Sequence, residues 1–217
     1  AEQYRPRFLK YKQMKKSITK IENSEITINL LLWYSAAQFE DYRAGMKWYK
    51  EAQAFTQYLS STYGLDAYLC AVVVAILSPN NKWARNMIDA EALIKAFVSL
   101  GPEAALAVKV CTYNANKTKA VRALTGEIEL SASSPKTHAF AMNVGLNSPD
   151  HITVDKHHLR ACLTKPEDGI VDCVESCTAT QYRRVEAITA KVAHDLGLKG
   201  YEFQAIVWVT IKRIWNR

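Results

Sequence analysis

Apolar positions recur every three or four residues along most of the chain, and few segments alternate as strands do. Ser24, ahead of Ile28, Leu31, Leu32 and Ala36, reads as the N-cap of a first helix. A second is predicted over 48–63, closed by Tyr63-Gly64. Residues 65–77 are apolar nearly all round, the mark of a buried central helix. Ser78-Pro-Asn-Asn breaks it. The next helix starts at Asn81 or Lys82 and runs through Met87, Ile88 and Leu93 towards Leu100. Gly101-Pro102 opens another over 103–110. Tyr113-Asn-Ala-Asn is a turn before a short basic helix over 117–124. A loop over 125–134 follows, and Pro135 suits the first turn of the helix after it, with Ser134 as cap. Asp155 caps a helix that ends at Leu163, and 165–177 is a polar connector. Tyr182, Val185, Ile188, Val192 and Leu196 share one face of a helix over 180–196, stopped by Gly197. An apolar helix over 201–215 ends the series. The expected fold is all-α, with about ten helices, beyond a simple bundle.

With 217 residues and 49% hydrophobic content, the chain can build a core, which excludes global disorder. Its longest apolar run, 67–77, is too short to span a bilayer, so no membrane partner is expected. The net charge of +7 suits an anionic partner, nucleic acid first, and equally suits solubility alone. The basic stretch 5–20 reads as a transit peptide, a DNA-touching arm or a solvated amphipathic helix, the last being favoured. Five cysteines, an odd count without a signal peptide, point to reduced thiols and a cytoplasmic location. Cys70 and Cys111 read as core residues. Cys173-Val-Glu-Ser-Cys177 has poor spacing for a metal and no ligand quartet, so no metal is expected.

The candidate chemistry lies in two stretches. Ser133-Ser-Pro-Lys136-Thr places a lysine at one helix start, and Ile152-Thr-Val-Asp155-Lys-His157 places a carboxylate at the next. An amine nucleophile and a carboxylate at neighbouring helix N-termini suit chemistry at a sugar carbon. Plainer readings exist for both: Asp155 as an N-cap alone, Lys136 as a surface lysine.

Four stretches, in order, resemble the helix-hairpin-helix DNA glycosylase superfamily, especially its endonuclease III-like branch. Ala71-Val-Val-Val-Ala-Ile-Leu-Ser-Pro-Asn-Asn looks like the apolar helix ending in Leu-Ser and a polar loop residue. Val110-Cys-Thr-Tyr-Asn-Ala-Asn-Lys-Thr-Lys-Ala is similar to the tyrosine-asparagine turn and its basic helix. Pro135-Lys136-Thr137 through Leu146 looks like the second helix of the hairpin. Ile152-Thr-Val-Asp155-Lys-His157 resembles the valine-aspartate-x-histidine segment. The match covers about residues 65–165. It departs in two places. The family's Leu-Pro-Gly-Val-Gly hairpin is here Ser131-Ala-Ser-Ser-Pro135, without glycine, and the four-cysteine iron-sulfur loop is not recognisable.

The resemblance implies two helical subdomains flanking a cleft: one from both termini (1–64 and 149–217), the other central (65–148) with a degenerate hairpin. It implies a DNA glycosylase with abasic-site lyase activity that flips a damaged or modified base out of the duplex. Lys136 would attack C1′ and Asp155 would stabilise the sugar cation. Asn80 would stand near the gap left by the base, with Asn81 beside it, unless both merely shape a turn. Lys82, Arg85, Lys117, Lys119, Arg122, Ser134 and His157 are candidates for contacts to DNA, set against a solvated helix face or, for His157, helix packing. Trp83 stacks on a base or packs in the core, the core being favoured; Tyr113 and Asn114 shape their turn. No cofactor is implied. DNA is the expected partner, of a monomer, in the nucleoid or in a phage-infected cell. Two other readings stay open: a non-catalytic module for bent or modified DNA, and a phage-type enzyme for hypermodified bases.

Overall fold

The computed structural model describes residues 15–169 and 172–215. Most of the basic N-terminal stretch read from the sequence, up to residue 14, lies outside them. Among the described residues there are ten α-helices and no strand. They are α1 (Asn23–Ser35), α2 (Phe39–Tyr63), α3 (Ala67–Leu77), α4 (Trp83–Leu100), α5 (Pro102–Ala107), α6 (Asn114–Leu124), α7 (Pro135–Gly145), α8 (Lys156–Leu163), α9 (Ala179–Asp195) and α10 (Gly200–Trp215). The all-α expectation holds. No single helix among the described residues is long and apolar enough to cross a membrane.

The apolar side chains gather in two clusters. One surrounds α3, whose residues from Cys70 to Leu77 are all buried, and adds faces of α2, α4, α6 and α7. The other joins α1, α8, α9 and α10 around Trp33, Ile152, Leu163 and Phe203. Helix α10 serves both, giving Tyr201 and Ala205 to the first and Phe203, Val207 and Ile211 to the second. Its near-continuous apolar sequence reflects those two buried faces.

Close helix approach depends on two glycines. A Cβ on Gly45 of α2 would stand 2.6 Å from the Ile206 backbone of α10, and one on Gly145 of α7 would meet Ala71 of α3 at 2.7 Å. Neither position accepts a larger residue without the helices moving apart. The Gly45 contact sets the spacing of α2 and α10, both of which line the cleft below.

Several boundaries differ from the sequence expectations. Helix α2 begins at Phe39, not at 48, because Gln38 and Asp41 form a capping box in which the Gln38 amide donates to Asp41 Oδ2 at 3.0 Å. The N-cap of α1 is Glu22, not Ser24. Helix α5 ends at Ala107, short of 110, and α6 opens at Asn114, ahead of 117. Cys111 therefore lies in the bend between them and is exposed, not a core residue, whereas Cys70 is buried.

Candidate functional site

A cleft of about 570 Å³ opens where α2, α4, α7 and α10 meet the residues before α8. Because α2 and α10 pack so closely at Gly45, the next turn of each contributes to the same wall: Trp48 and Tyr49 from α2, Gln204, Ala205 and Trp208 from α10. Trp83 of α4 and Phe140 of α7 complete an aromatic lining. The Trp48 ring centroid lies 5.3 Å from Trp83 and 5.9 Å from both Phe140 and Trp208. Three lysines (Lys82, Lys136, Lys212) and one carboxylate, Asp155, also line the cleft. Lys212 Nζ sits 4.1 Å from the centre of the Trp208 ring, close enough for a cation–π contact.

Asp155 is positioned by what precedes it. Residues 152–154 are buried and belong to no helix or strand; the Thr153 carbonyl accepts from the Asp155 amide at 3.1 Å, and the other backbone groups need partners elsewhere. The Ile152 amide donates to Glu186 Oε1 at 3.0 Å. The Tyr182 hydroxyl donates to the Ile152 carbonyl at 2.7 Å and accepts from the Val154 amide at 3.1 Å. Thr153 Oγ1 donates to Asn143 Oδ1 at 3.1 Å. Burial pushes the Tyr182 phenol well above its usual range, so it stays protonated and able to serve both bonds. Asp155 then caps α8, its Oδ1 accepting the His158 amide at 2.8 Å. The carboxylate is half-buried and lines the cleft.

Lys136 lines the same cleft from the start of α7. Pro135 occupies the first position of α7 and Lys136 the second. Its side chain is exposed and enters none of the ion pairs among the described residues. Ser134 stands at the N-cap position, as the sequence suggests, but its hydroxyl makes no capping bond.

The loop that leads into α4 is tied down by Asp89, which the sequence reading missed. Its side chain is fully buried. Oδ2 accepts from Asn81 Nδ2 at 2.9 Å and from the Cys111 amide at 2.8 Å, and Arg85 Nε approaches Oδ1 at 2.7 Å. One carboxylate thus binds the loop after α3, the start of α4 and the α5–α6 bend. Asn81, Lys82 and Trp83 are held at the cleft by that network. Trp83 both packs on the α3 cluster and faces the cleft, so the core reading of this residue is incomplete.

The other candidates lie elsewhere. Asn80 is exposed, holds a left-handed backbone (φ 57°), and donates from Nδ2 to the Tyr113 hydroxyl at 2.7 Å; it is not part of the cleft lining. Tyr113 occupies the N-cap position of α6, immediately before Asn114. Lys117 Nζ donates to the Val108 carbonyl at 3.0 Å, closing the end of α5. Lys119, Arg122 and Ser134 line a separate groove of about 540 Å³ between α6 and the residues before α7, where Arg122 pairs with Glu127 at 3.1 Å. His157 stands edge-on to Trp208, ring centres 6.5 Å apart, and burial lowers its pKa, which favours the neutral ring. Sequence reasoning missed Trp48, Tyr49, Asn86, Gln204, Trp208 and Lys212 altogether. The one signal available was the run of Trp and Tyr in α2 and α10, residues suited to cavity walls. Among the described residues no cluster of three or more His, Cys, Asp or Glu side chains is arranged to hold a metal ion.

No curated protein and no solved structure matches the chain. A family model spans nearly its whole length, matching residues 12–214, and by that match the chain belongs to DUF7178, a family of unknown function.

Proposed function

We propose that this protein is a DNA glycosylase of the helix-hairpin-helix type, with abasic-site lyase activity, that excises a modified or damaged base. One observation carries the reading: Lys136 and Asp155, from different helix starts, line the same aromatic-walled cleft. At about 570 Å³ the cleft falls within the ~300–1,000 Å³ typical of small-molecule sites. Aromatic walls interleaved with lysines suit a nucleobase attached to a phosphate backbone.

The chemistry assigns each group a task. The base leaves the duplex stack and enters the cleft. Lys136, as the free amine, attacks C1′ while the Asp155 carboxylate faces the cation that builds on the sugar. The C1′–N bond breaks, its electron pair leaves with the base, and the base takes up a proton. The adduct opens to an iminium as O4′ is protonated, and loss of a C2′ proton then expels the 3′ phosphate. Asp155 has Oδ1 engaged by the His158 amide, which fixes the orientation of the carboxylate.

Borohydride reduction on a duplex carrying an abasic site tests this reading. The expected result is a covalent protein–DNA adduct that disappears in Lys136→Ala. In Asp155→Asn the cap persists, because Asn caps as well as Asp, while base release from a modified duplex falls at least ~100-fold, the scale of losing one transition-state electrostatic contact. Absence of any adduct with wild-type protein refutes the lyase assignment. Salt-sensitive DNA binding without adduct or product would instead identify a non-catalytic binding module.

A further inference from the structure

Asn86 is the buried polar group in the cleft whose bonding is incomplete. It lies on the first turns of α4, is 1% exposed, and lines the cleft beside Trp83. Its amide orientation is fixed, because Nδ2 donates to the Val74 carbonyl of α3 at 3.0 Å. A flipped amide would set two carbonyl oxygens against each other. The orientation leaves Oδ1 as the acceptor, and no protein group among the described residues donates to it. A buried carbonyl oxygen without a donor is costly, and a donor brought in by a ligand or an ordered water relieves that cost.

The surroundings narrow that ligand. Flat aromatic faces from Trp48, Trp83, Phe140 and Trp208 favour a planar ring. Lys82, Lys136 and Lys212 favour an attached anion, and a lone acceptor oxygen calls for a donor, which on the edge of a planar base is an N–H. We infer that Asn86 reads the extruded base, accepting an N–H from its edge, so that the cleft takes nucleobases with a free N–H and rejects those in which it is blocked. This rests on the reading of the cleft as a base pocket. It adds a specificity residue that neither Lys136 nor Asp155 supplies.

Nucleosides that differ only in that N–H make the test. Full-length wild-type protein is titrated with cytidine and N4,N4-dimethylcytidine, adenosine and N6,N6-dimethyladenosine, thymidine and N3-methylthymidine, following the tryptophan fluorescence of Trp48, Trp83 and Trp208. At least one free N–H nucleoside quenches, and its blocked partner binds about tenfold more weakly, the scale of leaving a buried acceptor unpaired. In Asn86→Ala, folding checked by thermal melting, the two members of that pair bind alike. The inference is overturned if every wild-type pair binds within about twofold, if the preference persists in Asn86→Ala, or if no nucleoside quenches at all. Should the variant fail to fold, the wild-type pairs decide alone. The borohydride test is read separately: discrimination without an adduct keeps Asn86 as a base reader in a binding protein, and an adduct without discrimination keeps the enzyme and discards this role.

Discussion

On the Asp155 side of the cleft, residues 152–154 are buried and their backbone is held by Tyr182 and Glu186 of α9, with Asn143 of α7 taking Thr153. On the Lys136 side, residues 131–134 bond to one another and, through the Ser134 carbonyl, to the His138 amide of α7 at 3.0 Å. Ser131 and Ser133 share a hydroxyl–hydroxyl bond of 2.8 Å, and the Ser134 amide donates to the Ser131 carbonyl at 3.0 Å, all of it exposed or nearly so. A carboxylate that must face a growing charge gains from a rigid mount, since a preorganised group costs no reorganisation when the charge appears. A nucleophile that must travel to C1′ tolerates a looser one. The difference also predicts where the molecule yields first.

Acid should break the Asp155 side before the other. His158, in α8, is fully buried, and its Nε2 lies 2.8 Å from Thr189 Oγ1. The Thr189 hydrogen goes to the Val185 carbonyl, so the histidine donates from Nε2 and its buried Nδ1 has no partner. Burial lowers the pKa to about 4. The unfolded chain, with histidine near 6.5, binds the proton first, so stability present above about pH 6.5 is lost as pH falls towards about 4, by about 3 kcal/mol in all. His157 on the same helix, and His138 on α7 beside His151, are also lowered by burial and act in the same direction. Hydrogen exchange between pH 7 and 4 should show amides of 152–163 losing protection ahead of those of α6. Because α6 contains no histidine, equal loss in both regions would show that the buried His158 does not decide which part of the molecule yields first.

A smaller effect is expected from Tyr182→Phe. The change removes the one hydroxyl that serves both the Ile152 carbonyl and the Val154 amide, in a site where water does not replace it. Two buried backbone groups lose a partner, and the cost should be about 2 kcal/mol. A shifted urea midpoint with an unchanged slope checks it. Under the proposed function, base release falls further than folding does, because Asp155 sits directly beyond the loosened segment. A midpoint within experimental error of wild type would mean that the Asp155 mount does not depend on α9.

The same contrast explains what the sequence disclosed. Asp155 as a helix cap and Pro135 at the first position of α7 follow from local rules, since the bonds involved span three or four residues. The central helix was legible because apolar residues all round leave only burial. The cleft walls were not. Trp48, Gln204 and Trp208 face it only because Gly45 lets α10 approach α2, and periodicity carries no information about which helices touch. The early start of α2 was hidden because Phe39 is exposed and charged residues follow it, although Gln38 and Asp41 have capping-box spacing. Cys111 was misread because Val108-Lys-Val-Cys continues an apolar pattern past the point where α5 has ended.

The smallest effect expected is that of Ser133→Ala. Ser133 is exposed, and its hydroxyl bonds only to Ser131, two residues away. Water can replace that bond, so stability should change by no more than about 0.5 kcal/mol. The adjoining groove, lined by Lys119, Arg122, Ser133 and Ser134, keeps its other residues. A loss of stability near that of Tyr182→Phe would mean that the serine loop braces Lys136 as firmly as α9 braces Asp155. An unchanged melting temperature joined to weaker, less salt-dependent DNA binding would place this loop against the phosphate backbone instead, so that DNA, not the rest of the protein, orders the side of the cleft that carries the nucleophile.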